Sequence, residues 1–98
     1  MNNYQCEFCT KNIFNCHINR PGFVVFMKPQ CPHSQKAMKT IMNINAEYRF
    51  YDITQDNCQG IVLALKKYLK TNKFTVPQIF FNGKYIGGNS DLQQRLNK

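Results

Sequence analysis

The apolar positions of the chain fall into alternating kinds of pattern. Phe23-Val24-Val25-Phe26-Met27 is an unbroken apolar run rich in β-formers, which predicts a strand buried on both faces. It leads directly into Lys28-Pro29-Gln30-Cys31-Pro32. Beyond Pro32, the residues Ala37, Met38, Ile41, Met42 and Ile44 recur at helical spacing. Proline suits the first position of a helix, so Pro32 places Cys31 at or next to the N-cap. Residues 48–53 alternate as a second strand, and Ile61, Leu65, Tyr68 and Leu69 mark a second helix with Lys66, Lys67 and Lys70 on its outer side. Residues 76–81 read as a third strand, and Asn82-Gly83 predicts a hairpin turn into Lys84-Tyr85-Ile86. Gly87-Gly88 breaks that strand, and Ser90 or Asn89 is expected to cap a last helix through residues 92–97. The order β-α-β-α-β-β-α makes the first two strands parallel, through a helical crossover, and the last two antiparallel. The expected architecture is an α/β sandwich on a small four-stranded mixed sheet flanked by helices. Residues 1–20 lack such patterning, but Cys6, Cys9, Cys16 and His17 fall within twelve positions there.

Length narrows this picture to one domain, because 98 residues, 43% of them hydrophobic, fill a single core. Thirteen Lys and Arg against five Asp and Glu give a formal charge of +8, which favours anionic partners. No run of about 18 apolar residues exists, so no membrane span is expected. Met1-Asn2-Asn3-Tyr4-Gln5-Cys6 has no basic segment followed by an apolar one, so no secretory signal is expected and a cytoplasmic location is. Five cysteines is an odd number, and in a reducing compartment they read as metal ligands, redox centres or small core residues.

The chemistry concentrates at Cys31-Pro32-His33-Ser34. A cysteine attacks only as its thiolate, and three features favour that form here. The helix N-terminus offers unpaired N–H groups and partial positive charge. Lys28 lies three residues earlier, and Ser34 can donate a hydroxyl hydrogen bond from the first helical turn. Such surroundings bring a thiol from about 8.5 into the range of roughly 3.5–7.5. The alternative is a buried, inert cysteine at a helix start. Elsewhere, Thr75-Val76-Pro77 opens a strand with a residue that cannot donate to the ladder. A cis Val76–Pro77 bond would turn the Val76 N–H and C=O toward a ligand. Gly87-Gly88 permits close backbone approach, and Ser90-Asp91 at a helix N-terminus can bind a carboxylate and an amino group together. A thiolate, a strand edge and a carboxylate-and-amine clamp describe a site for a small thiol peptide.

Lys28-x-x-Cys31-Pro32, Thr75-Val76-Pro77 and Gly87-Gly88-x-x-Asp91, in that order, resemble a glutaredoxin of the thioredoxin fold, with similarity over roughly residues 12–92. Phe14-Asn15-Cys16-His17-Ile18-Asn19, similar to the family's first helix, and Asp52-Ile53-Thr54 add to it. The resemblance implies an N-terminal extension over residues 1–11 and a glutaredoxin domain over residues 12–98. It also implies a thiol–disulfide oxidoreductase that uses glutathione as co-substrate and acts on glutathionylated proteins or small disulfides as a monomer. Carried over by position, Cys31 is similar to the nucleophile that forms a mixed disulfide with glutathione. Lys28 is similar to the lysine that meets the thiolate and the glycine carboxylate. Val76, with Thr75 and beside Pro77, is similar to the strand edge that bonds the tripeptide backbone. Ser90 and Asp91 are similar to the pair that binds the γ-glutamyl end, with Gly88 letting it approach.

The chain departs from the two-cysteine members at Ser34, where they carry a resolving cysteine. That favours a monothiol Cys-Pro-His-Ser site. A competing reading is a dimer holding a [2Fe–2S] cluster through two Cys31 thiolates and two glutathiones, against which Pro32 stiffens the turn. His33 replaces the usual aromatic and is expected to modulate Cys31 and line the glutathione site. Val62 or Ala64 stands where a glutamine often faces the glycine carboxylate, and Lys73 can compensate. Cys6, Cys9, Cys16 and His17 could form a tetrahedral zinc site, and Cys6 and Cys9 a redox pair, but the expectation is a loose N-terminal extension, no metal centre, and a bystander Cys58. Lys66, Lys67, Lys70 and Lys73 read as a solvated helix face, with no base-stacking motif to suggest nucleic acid.

Overall fold

The computed structural model describes residues 18–55 and 59–96. In chain order the elements are β1 (Phe23–Met27), α1 (Pro32–Met42), β2 (Tyr48–Asp52), α2 (Gln59–Leu69), β3 (Gln78–Phe81), β4 (Lys84–Gly87) and α3 (Asn89–Leu96). The sheet order is β2-β1-β3-β4, with β1 parallel to β2 and antiparallel to β3, and β3 antiparallel to β4. The α/β architecture read from the sequence is the architecture of the molecule.

β1 is apolar throughout because it is central and covered on both sides. Val24 and Phe26 point into a core shared with Tyr51, Ile61, Leu65 and Phe80, on the α2 side of the sheet. Phe23, Val25 and Met27 point into a second core with Ala37, Ile41, Ile79 and Leu92, on the side of α1 and α3. Each fully buried side chain of this size contributes about 1.5–3 kcal/mol. Gly22 sets the entry to β1 at φ +81, packed so closely on the Glu47 carbonyl that any Cβ there would collide with the backbone.

Three boundaries differ from the sequence reading. β2 ends at Asp52, whose carboxylate accepts the Thr54 N–H at 2.9 Å and the Thr54 hydroxyl at 2.5 Å, turning the chain out of the sheet. β3 begins at Gln78, so Val76 and Pro77 precede the ladder rather than open it. The last helix is capped by neither Ser90 nor Asn89. Gly88 accepts the first helical bond from Leu92 N–H at 3.0 Å, and the Asp91 carboxylate reaches back to Gly88 N–H at 3.0 Å. This is one half of a capping box: the acidic side chain three residues inside the helix bonds back to the N-cap N–H, while glycine has no side chain to return the bond. Lys73, grouped with the α2 lysines in the sequence reading, lies beyond the helix end at Leu69.

Candidate active site

Two strand ends meet at one end of the sheet. The chain leaves β1 at Met27 and the turn to α1 follows, while the segment entering antiparallel β3 arrives alongside it. Cys31 is the N-cap of α1 (φ −80, ψ 123) and Pro32 occupies the first turn, as the sequence predicts. The Cys31 N–H bonds to the Lys28 carbonyl at 3.0 Å and Gln35 N–H to the Cys31 carbonyl at 2.9 Å, so the turn is tied on both sides of the sulfur. The Gln35 side-chain amide adds a bond to the Pro29 carbonyl at 2.8 Å.

The Cys31 thiol is half-buried and lies below the ordinary thiol range. The main cause is the Ser34 backbone N–H aimed at the sulfur, and the His33 N–H, the Ser34 hydroxyl and the positive charge of Lys28 act in the same direction. Partial burial opposes them. Ser34 is fully buried, and its hydroxyl oxygen accepts the Lys28 backbone N–H at 3.3 Å. Its hydrogen is therefore free to point at the sulfur, and one serine ties the strand side of the turn to the helix side. The Val76–Pro77 peptide is cis, and the Cys31 Sγ–H donates a long bond to the Val76 carbonyl at 3.8 Å, across 45 residues of sequence.

The other residues expected from the sequence gather around this point. His33, Thr75, Val76, Pro77, Gly88, Ser90 and Asp91 line one cavity of about 370 Å³. Lys28 lines a second, of about 420 Å³, with Ile53, Val62, Phe74 and Lys73. Val62 therefore faces the lysine cavity, whereas Ala64 is buried against the α2-side core and lines a different cavity further along α2. Lys73 is held on the rim by the Thr71 hydroxyl, which accepts the Lys73 N–H at 3.2 Å and donates to the Lys73 carbonyl at 2.7 Å. Cys6, Cys9, Cys16, His17 and Cys58, with the extension over residues 1–11, lie outside the described residues. Among the described residues no cluster of His, Cys, Asp or Glu could hold a metal ion, and no helix is long and apolar enough to cross a membrane.

Three features of the site escape a reading of the sequence. Gly87 holds φ +123, and a Cβ there would run into the Asp91 side chain, 2.7 Å from Cγ, whereas a Cβ on Gly88 would meet only the Pro77 carbonyl at 3.6 Å. The glycine that admits Asp91 is thus the first of the pair. Buried Gln78 donates from Nε2 to the Thr75 carbonyl at 2.6 Å and accepts a short hydrogen bond from the Tyr85 hydroxyl, bracing the segment before β3. Tyr85 lines the same cavity, and its hydroxyl is pushed up by burial and by the negative charge of Asp91, so it stays a donor. Lys66, from α2, lines the Lys28 cavity. Lys66 reads in sequence as part of a solvated helix face, and Tyr85 carries no signal there, because only the rotation of α2 and the register of β4 on β3 set them against these cavities.

Comparison with known proteins places this geometry. The glutaredoxin family model matches residues 23–86. A probable glutaredoxin of Acanthamoeba polyphaga mimivirus is 37% identical over 84 residues, covering 78% of this chain and 79% of that protein. Glutaredoxin-2 of Schizosaccharomyces pombe is 39% identical over 78 residues, covering 79% of this chain and 69% of that protein. The crystal structure of a buckwheat glutaredoxin–glutathione complex superposes with a TM-score of 0.77 at 25% identity, covering 89% of this chain and 78% of that one. A thiol held toward its thiolate at a strand-to-helix turn, on this sheet topology and with these relatives, has one reading: the chain belongs to the glutaredoxin family, thioredoxin-fold enzymes of thiol–disulfide exchange.

Proposed function

We propose that the protein reduces glutathione mixed disulfides by a one-thiol route through Cys31, in the cytoplasm and as a monomer. The observation that carries this reading is Ser34. A buried hydroxyl, bonded to Lys28 N–H and directed at the sulfur, occupies the place from which a second thiol would close a disulfide with Cys31.

The Cys31 thiolate attacks the glutathione sulfur of a mixed disulfide. A Cys31–glutathione disulfide forms, the original disulfide breaks, and the substrate leaves as a thiolate that takes a proton from solvent. A second glutathione thiolate then attacks the glutathione sulfur of that adduct, giving oxidised glutathione and restoring the Cys31 thiolate. One glutathione thiol is thereby consumed and one substrate thiol released, the other half of the oxidised glutathione being the one carried in by the mixed disulfide. Lys28 and Lys73 receive the glycine carboxylate, and the Val76 backbone, with Thr75 beside Pro77, pairs with the tripeptide. Ser90 and Asp91 take the γ-glutamyl end, which passes Gly88, and His33 packs against the bound peptide. The glutathione seen in the buckwheat relative supports this choice of co-substrate.

The test couples turnover of a glutathionylated substrate to glutathione reductase, with mass spectrometry of the enzyme quenched in acid. The expected result is steady turnover with a single glutathione adduct on the Cys31 peptide. An enzyme that turns over only through an internal disulfide would overturn the one-thiol route. The [2Fe–2S] reading gives a different signature: visible absorbance and a dimer in protein purified without air, where the one-thiol enzyme is colourless and monomeric.

The raised acidity of Cys31 has a pH consequence. Alkylation of the Cys31 peptide by iodoacetamide, followed by mass spectrometry, is expected to reach its plateau at lower pH than an ordinary thiol of about 8.5. Ser34→Ala is expected to shift the curve part of the way back, because the backbone N–H groups remain. Between the folded and unfolded pKa values the native state binds fewer protons, so this thiol favours folding above its unfolded pKa. That contribution is lost as pH falls through the folded value. A Ser34→Ala curve superposable on the parent's would remove the hydroxyl from the account.

A further inference from the structure

The cation content around the site exceeds what one tripeptide carboxylate uses. Lys28, Lys66 and Lys73 line the 420 Å³ cavity, and Lys66 together with Asn72 also lines a neighbouring cavity of about 670 Å³ along α2. Lys67 and Lys70 line that second cavity, over Leu63 and Ala64. Leu63 is 64% exposed, an apolar surface that β-sheet packing leaves uncovered. No acidic residue among the described residues lines either cavity. The two cavities share Lys66 and Asn72, so together they make an open, lysine-lined channel from Lys28 to the C-terminal turn of α2.

From this juxtaposition we infer that the α2 channel receives an acidic polypeptide segment, the stretch flanking the glutathionylated cysteine of a protein substrate. The inference rests on the one-thiol reading above and names the substrate class for the same site. Charge complementarity sets the sign of the segment, since Lys66, Lys67 and Lys70 remain once Lys28 and Lys73 hold the glycine carboxylate, and they meet no carboxylate of the channel's own. The exposed Leu63 gives an apolar side chain among the acidic ones a place to pack. Of the residues lining the two cavities the one aromatic is Phe74, which is half-buried against the α2-side core, so the channel lacks the succession of exposed aromatic faces that a single-stranded nucleic acid stacks on. Because the lysines are exposed or partly exposed, the effect falls mainly on the rate of encounter and is screened by salt.

The experiment compares the full chain on three peptides with the same glutathionylated cysteine. One is flanked by Glu, Asp and a Leu, one by neutral polar residues, one by Lys; a small glutathione mixed disulfide serves as reference. The acidic peptide is expected to show kcat/KM roughly tenfold above the neutral one at about 20 mM salt, shrinking to about twofold near 0.5 M. The double variant Lys67→Gln/Lys70→Gln, both outside the glutathione contacts, is expected to lose most of that preference and keep its rate on the small disulfide. Equal rates on acidic and neutral peptides overturn the inference, as does a preference that survives the double variant. Inhibition by a single-stranded oligonucleotide stronger than by the unmodified acidic peptide also overturns it. Loss of turnover on the small disulfide itself overturns the one-thiol reading first, so the two failures are distinguishable.

Discussion

Cys31→Ser is expected to lose turnover of glutathione mixed disulfides by at least about 10³-fold, a scale reached when a covalent nucleophile is removed. A serine hydroxyl at this N-cap receives the same Ser34 and His33 N–H groups, but its acidity is too weak for those bonds to ionise it. Serine also caps helices well and its oxygen can accept the same first-turn N–H groups, so the fold is expected to survive. The variant therefore separates chemistry from structure. Binding of glutathione, read by titration calorimetry, should persist within a few-fold while the coupled assay falls to background. Residual turnover above that level would mean that another cysteine of the chain carries electrons, and Cys6, Cys9, Cys16 and Cys58 would be the ones to replace next.

Gly87→Ala is the substitution with the largest expected structural effect inside the site. The residue sits at φ +123, where a side chain is strained, and the added Cβ would press on Asp91. Strain of this kind costs about 1–3 kcal/mol. Displacing the Asp91 carboxylate from Gly88 N–H removes a cap worth about 1 kcal/mol. Together these give an expected loss of roughly 2–4 kcal/mol, or a Tm lower by about 10–25 °C for a domain of this size. The same displacement moves a residue proposed to hold the γ-glutamyl end, so KM for glutathione is expected to rise about tenfold in protein still folded at 15 °C. Gly88→Ala is the control: its Cβ meets only ordinary contact with Pro77, and a loss near 1 kcal/mol or less is expected. Should the two alanines behave alike in thermal unfolding, the argument from the position of Asp91 fails.

What is legible in the sequence follows physical rules with short reach. The doubly buried β1, Pro32 at the helix start, the Asn82-Gly83 turn and the thiolate-favouring surroundings of Cys31 all depend on neighbours within a few residues. The cap of α3 is not legible, because Asn89 and Ser90 are better caps in general. Here the sharp φ of Gly87 turns the chain one residue earlier, and Asp91 closes on Gly88 instead. Gln78 and Tyr85 give no signal because their bond depends on the irregular register between β3 and β4 near Ile79 and Phe80. Lys66 reads as solvated because three lysines in five positions look like a helix exterior, and only the placement of Lys73 beyond the helix end shows which of them faces Lys28.

The two halves of the site have different origins in the chain, and this bears on what happens when the protein is damaged or partly unfolded. The acidity of Cys31 comes from residues within three positions of it, whereas the binding edge at Val76 reaches the sulfur only through the pairing of β1 with β3. A chain that keeps α1 but loosens that pairing would retain a reactive thiolate and lose its choice of partner. Such a species would react with whatever oxidant or thiol arrives first, so in this protein selectivity, rather than reactivity, is the property that the tertiary fold protects.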